Sequence, residues 1–224
     1  MTTGVPVGRG VSLREQVEEV LTAAIISGSI APGEIMTVPV LAERHGVSAT
    51  PVREAMLNLA RRGFVTPMRN KGFQVRAVDH DELVQLVHAR RLLEAPPMVD
   101  VAAIFTADHR ADLDDLVQAI GKAAAERDFP AYVLADKEFH LKVLGLLDNP
   151  LLVRLVSDLR DQTRTIGIAS TISPEHLAAS IEEHAELLDL LQEGDGSGAA
   201  ALMERHIGHV LGWWSGRDED GEQR

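Results

Sequence analysis

The 224-residue chain contains no cysteine. That excludes a disulfide framework and any thiolate metal site, and it makes a cytoplasmic protein the expectation. Aromatic residues make up only 4% of the chain against 45% hydrophobic residues in all. A core must therefore be built on Leu, Val, Ala and Ile, which suits helix-on-helix packing. No apolar run approaches the roughly 18 residues needed to cross a bilayer, and Met1 to Gly10 holds no apolar signal core, so no membrane partner is expected. Basic residues are scarce and uneven: residues 1–76 hold nine Lys/Arg and six Asp/Glu, whereas residues 77–224 hold 13 and 28, within a net charge of −12. Only the first part can approach nucleic acid without repulsion.

The stretch Leu41 to Arg76 carries the clearest local signals. Two helical patterns meet at His45-Gly46-Val47-Ser48, where Gly suits the φ > 0 position that closes a helix and Ser suits the cap that opens the next. In the second helix Val52, Met56 and Leu59 recur at spacings of four and three, which leaves Ala49, Thr50 and Arg53 on the other side. Phe64-Val65-Thr66 and Phe73-Gln74-Val75 alternate as two strands around Pro67-Met68-Arg69-Asn70-Lys71-Gly72, a basic hairpin. From Arg44 to Arg76 there are seven Lys/Arg and one acid, Glu54. Upstream, Ser12 with Glu15 opens a first helix that Gly28 ends, Ser29 to Glu34 is turn chemistry, and a short helix runs from about Val38 to Arg44. The sum is a winged helix-turn-helix. A charge run by itself is usually a solvated face; helix turn, outward Arg53 and basic wing together point to DNA.

These residues also carry a resemblance. Ile26-Ser27-Gly28-Ser29-Ile30-Ala31-Pro32-Gly33, Leu41-Ala42-Glu43, Gly46-Val47-Ser48, Thr50-Pro51-Val52-Arg53-Glu54-Ala55 and Gly63-Phe64-Val65 resemble the N-terminal domain of GntR-type transcription regulators. The resemblance implies that the helix starting near Ser48 enters the major groove and the wing tip the minor groove. Thr50 and Arg53 then inherit base or phosphate contacts, and Lys71-Gly72 the wing contact. With Arg44, Ser48 and Arg69 they form the expected set, and Arg9 is a candidate for an arm that reaches DNA. Two positions depart from the family pattern: Ala49, where an Arg is usual after the Ser, and Pro39, at a position that is often basic. A lost Arg–guanine contact is worth about 1–3 kcal/mol, so operator preference or strength should differ.

After a linker at 77–80 the chain reads as helices at roughly 80–106, 109–126, 129–147, 150–170, 174–193 and 197–213, with Pro96-Pro97 kinking or splitting the first. The expected organisation is mainly α: a winged domain at 11–76, an all-α helical bundle at 81–214 for effector and metal binding and dimerisation, and a polar tail at 215–224.

Asp136 and His140 stand four apart on one helix, one turn from each other, a spacing that can chelate. His184 and His206 lie on two later helices among apolar neighbours. Three imidazoles and a carboxylate could hold a divalent ion such as Zn or Ni without a thiolate. The competing reading is that a core histidine is a hydrogen-bonded structural residue; the other histidines, His45, His80, His88, His109, His176 and His209, have no such pattern and read as surface or packing residues. The C-terminal part resembles the FCD type of the FadR branch, in which an Asp-x-x-x-His pair and two later histidines form a metal site, and Asp136, His140, His184 and His206 match in type and order. Four protein ligands leave a six-coordinate ion two positions for a small carboxylate effector. A guanidinium would pair with the remaining charge; Arg90 matches an Arg that the family directs into the pocket, and Arg160 and Arg164 are further candidates, with salt bridges to Asp158 and Asp161 as their alternative. The function expected is therefore a homodimeric regulator on a palindromic duplex operator, controlled by a small carboxylate. The alternatives are a metal-dependent enzyme with a fused DNA-binding domain, using Glu138 or Glu183 as general base, and a regulator whose metal is purely structural.

Overall fold

The computed structural model describes residues 12–26, 28–163 and 173–212. Helix α1 (Leu13–Ile26) opens with a reciprocal cap: the Glu15 amide donates to Ser12 Oγ at 3.2 Å and the Ser12 amide to Glu15 Oε2 at 3.0 Å. Its Val17, Leu21 and Ile25 are buried at four-residue spacing, and α1 lies against α3. Helix α2 (Val38–His45) closes on Gly46 at φ 64°, and α3 (Ala49–Arg61) follows at once. Ser48 occupies the N-cap position of α3, but its hydroxyl makes no capping hydrogen bond. The buried face of α3 is Val52, Ala55, Met56 and Leu59.

Strands β2 (Val65–Met68) and β3 (Gly72–Val75) pair antiparallel, with Val65 opposite Val75 and Met68 opposite Gly72. This corrects the two-stranded wing expected from the sequence. A third strand, β1 (Ile35–Met36), pairs with β3 on its other edge, with Ile35 opposite Gln74, giving the order β1-β3-β2. Two residues carry too little periodicity to announce a strand; the pairing is made by Phe73 and Gln74, nearly 40 positions away. Gly72 sits at φ 114°, and a Cβ on it would run into the Met36 carbonyl oxygen. Gly72→Ala is therefore expected to cost about 1–3 kcal/mol of stability, read by urea unfolding, because β1 and the wing tip must part. A loss below measurement error would contradict that account.

The rest is helical: α4 (His80–Glu94), α5 (Met98–Ile104), α6 (Ala107–Ala125), α7 (Phe129–Gly145), α8 (Pro150–Thr163), α9 (Pro174–Glu193) and α10 (Gly196–Gly208). Pro96 and Pro97 split the first segment into α4 and α5, since neither ring can donate a helix hydrogen bond. Of the expected helix at 150–170, residues 150–163 are helical, and the remainder lies outside the described residues. Helix α10 ends at Gly208 rather than at 213, and residues 209–212 form turns. Asp79, Asp128, Ser173 and Asp195 cap their helices through side-chain oxygens. Helix α7 is central, packed by α6 and α8 and approached by α1, and it buries Tyr132, Val133, Asp136, Phe139, His140 and Val143. Among the described residues no helix is long and apolar enough to cross a membrane.

Candidate functional site

The exposed side of α3 and the wing form one surface. Arg44, Ser48, Ala49, Thr50 and Arg53 are all exposed, as are Arg69 and Lys71 at the turn between β2 and β3, while Gly72 is half-buried behind them. Asn70, at the tip, adopts φ 59°, a conformation Asn tolerates better than most residues. Pro39 is exposed in the first turn of α2. Two members of the basic run are turned to other work. Arg76 donates to the Gly63 carbonyl at 3.1 Å and to Glu82 at 2.8 and 2.9 Å, tying the wing to α4. Arg62 pairs with Glu18 of α1 at 2.8 Å and with Asp161 of α8, and Asp161 also accepts from Lys137 of α7 at 2.6 Å. This joins the winged part to the helical part. Arg9 lies outside the described residues.

Asp136, His140, His184 and His206 converge, and one ligand atom from each lies within 4.8 Å of the others. The ring centroids of the three histidines are 4.8–5.1 Å apart. Asp136 and His140 come from α7, His184 from α9 and His206 from α10. His184 Nδ1 faces the Ser180 carbonyl oxygen at 2.7 Å and so carries a proton, and its Nε2 lies 3.1 Å from Asp136 Oδ1, so that imidazole and carboxylate meet where an ion would sit between them. His140 is 2% exposed, yet among the described residues neither of its ring nitrogens has a hydrogen-bond partner. A buried polar group left that way costs about 1–3 kcal/mol, a cost that coordination of a cation would remove. Burial, with Arg160 and the other two imidazoles adding to it, pushes the His140 pKa well down, which keeps its lone pair available. The residues present thus fit a divalent ion of the Zn or Ni kind, with no softer ligand among them.

Two of the candidate effector arginines, Arg90 and Arg160, are buried in the helical part among acidic partners. Arg160 is fully buried, and its partners are Glu94 (Nε to Oε2, 2.8 Å) and Asp136 (Nη1 to Oδ2, 3.2 Å), and not Asp158 and Asp161, the partners of the alternative reading. The reason is rotational: Arg160 and Asp161 are consecutive on α8, so one faces α4 and α7 inside while the other faces Arg62. Arg90 is 2% exposed and donates from Nε to Glu94 Oε1 at 2.7 Å. Burial works against a charge on Glu94, but Arg160 and Arg90 outweigh it and hold the carboxyl below its ordinary value. Arg164 lies outside the described residues. The cavity beside the three histidines encloses about 10 Å³, roughly the space of one water.

Sequence reasoning missed two groups, Glu94 and His209, and one contact of a third, His206. Glu94 is four residues beyond Arg90, a spacing that could have announced the pair. His209, read as a surface or packing residue, is 4% exposed and its Nε2 lies 3.0 Å from Glu183 Oε1. His206, read among apolar neighbours, has Nδ1 2.8 Å from Glu183 Oε2. Burial would raise the Glu183 pKa, but His206 and His209 outweigh it and hold the carboxyl well below the usual carboxylate range. So weak a base is unsuited to abstract a proton near neutral pH. Glu138, the other candidate base, lies on the exposed side of α7 and lines the cleft toward α1, away from the histidines.

Two family models match the chain. Residues 13–75 match the bacterial regulatory proteins of the gntR family, and residues 85–209 match the FCD domain. The Nta operon transcriptional regulator of Aminobacter aminovorans is 30% identical over 81% of this chain and 85% of its own length. The HTH-type transcriptional regulator McbR of Escherichia coli strain K12 is 27% identical over 88% of this chain and 92% of its own. The solved structure of E. coli McbR/YncC superposes with a TM-score of 0.80 at 26% identity, covering 88% of this chain and 94% of that one. A GntR structure from Rhodococcus sp. RHA1 shares the fold, with a TM-score of 0.74 at 21% identity. With its exposed α3, basic wing and helical second part, the chain belongs to the GntR family of DNA-binding transcription regulators, in the branch whose C-terminal part is an FCD domain.

Proposed function

We propose that the chain acts as a homodimer on a palindromic operator, and that a small carboxylate bound at a metal held by Asp136, His140, His184 and His206 changes its operator affinity. Residues 11–76 would read the DNA through Arg44, Ser48, Thr50, Arg53, Arg69, Lys71 and Gly72, residues 77–80 would link, and residues 81–214 would sense and dimerise. The observation that carries the reading is the convergence of four ligand-type side chains around a buried His140 whose ring has no hydrogen-bond partner among the described residues. A divalent ion there would supply a Lewis acid for a carboxylate oxygen.

Arg90 and Arg160 are the guanidiniums within reach of such a ligand, but Glu94 and Asp136 now occupy them. A carboxylate must therefore fit in beside Asp136 and Glu94 to reach them, and about 10 Å³ of space obliges the surrounding helices to shift. That requirement supports a coupling mechanism, because a ligand alters an equilibrium only when it binds two arrangements differently. Asp136 and Arg160 are each followed in sequence by a member of the outer network, Lys137 and Asp161, which meets Arg62 at the end of α3. Movement of α7 against α8 is then felt by the winged domain. The same small cavity favours a second reading, in which the metal is structural and no carboxylate enters.

The test is anisotropy on a selected operator duplex, with metal-loaded protein and a panel of small carboxylates. Arg53→Ala is expected to lose about 1–3 kcal/mol of operator affinity, roughly 5- to 150-fold, at unchanged melting temperature. His184→Ala is expected to keep operator affinity within a few-fold and to lose the carboxylate response. A response that survives His184→Ala would end this proposal, and no response to any acid in the parent protein would favour the structural metal.

A further inference from the structure

Resting on the metal reading above, we propose that Glu183 is the positioning residue of the site: it sets the tautomer and direction of His206, and His209 in turn holds Glu183. Glu183 directly precedes His184 on α9, so the two side chains leave the helix about 100° apart. His184 faces α7, and Glu183 faces α10. There it meets His206, in the last turn of α10, and His209, the residue that caps the end of that helix, each bound to a different carboxylate oxygen, at 2.8 and 3.0 Å. Arg205 adds a third donor, Nε to Oε1 at 3.1 Å.

An ionised carboxylate only accepts hydrogen bonds, so the His206 nitrogen facing it must be the protonated one. Nδ1 therefore carries the hydrogen, and Nε2 is the sole atom of the ring able to ligate. A negative partner on the far side of an imidazole also strengthens it as a donor toward a cation. His209 performs the same anchoring one step further out: by donating to Oε1 it keeps the carboxylate from turning toward the exposed part of Arg205, whose side chain is 53% exposed. His184 has a different orienter, the Ser180 carbonyl, which lies on its own helix. His206 depends on a residue of another helix, so its aim is set by how α9 and α10 pack.

The experiment is competition for Zn²⁺ between a chromogenic chelator and the full-length protein, with melting of the metal-free and metal-loaded forms. Glu183→Ala is expected to lower Zn²⁺ affinity about 10- to 100-fold, with a smaller fall in the metal-free melting temperature than in the metal-loaded one. Glu183→Gln should recover most of the loss, because its amide oxygen accepts from His206 Nδ1 while its amide N–H can donate to the other tautomer of His209. His209→Ala should fall between the parent and Glu183→Ala. The proposal is overturned if Glu183→Ala binds within twofold of the parent, if Ala and Gln lose equally, or if metal-free and metal-loaded proteins lose the same number of degrees. A parent that binds neither Zn²⁺ nor Ni²⁺ removes the metal reading itself, and this inference with it.

Discussion

Replacing Glu94 by alanine is expected to remove about 3–5 kcal/mol of stability, the cost of breaking a buried charge pair from one side. Glu94 is fully buried, and each of its oxygens serves a different buried guanidinium, Oε1 that of Arg90 and Oε2 that of Arg160. Burial pushes the Arg160 pKa down to about 9, opposed by Glu94, so the guanidinium is still charged near neutral pH. Without Glu94 it keeps, among the described residues, the carboxylate of Asp136, and Arg90 loses the carboxylate that it shares with Arg160. Because a whole protein is stable by roughly 5–15 kcal/mol, the variant should be marginal at physiological temperature. Urea unfolding at pH 7.5 measures it. Glu94→Gln, which keeps an acceptor but no charge, should lose less, and a loss under about 1 kcal/mol for the alanine variant would show that water or Asp136 compensates.

Metal-loaded protein is expected to melt well above the stripped protein, and the gap to close in acid. Ion at about 1,000 times its Kd adds about 4 kcal/mol. At roughly 2–4 °C per kcal/mol for a chain of this size, that is about 8–16 °C. The sign of the pH dependence follows from the imidazoles. Burial lowers the His140 pKa well below 6.5, and burial, opposed by the Glu183 hydrogen bond, lowers that of His206 to about 3. Below pH 6.5 the unfolded chain therefore binds protons that the folded chain refuses, and stability falls as pH falls, by up to about 1.4 kcal/mol per unit for each imidazole. Glu94 and Glu183, held below the ordinary 4.5, add loss in the same direction below about pH 4.5. Protons also compete with metal for the same nitrogens. Melting at pH 8, 6.5 and 5, with and without Zn²⁺, tests both claims; a stripped protein that gains stability on acidification would contradict them.

Much of this architecture is legible in single stretches of sequence, because the physics there is local. Ser12 with Glu15 reads as a capping box, Gly46 as a left-handed helix stop, and Pro96-Pro97 as a break, and each is so in the fold. The outward side of α3 follows from Val52, Met56 and Leu59 alone. What escaped reading was set by partners far along the chain: Ile35–Met36 become a strand only because β3 offers a free edge.

The same division runs through the candidate site. Periodicity and spacing by themselves determined that Asp136 and His140 share a face of one helix, and that the basic charge of an acidic protein is gathered on α3 and the wing, since both depend only on helix geometry and residue type. The tertiary structure alone decided that Glu94 joins Arg90 to Arg160, that Glu183 gathers His206 and His209, and that Arg62 turns from the exposed basic residues to Asp161. Buried charges must find partners wherever packing places them, and those partners here lie on helices separated by tens of residues, where no periodicity relates one to the other.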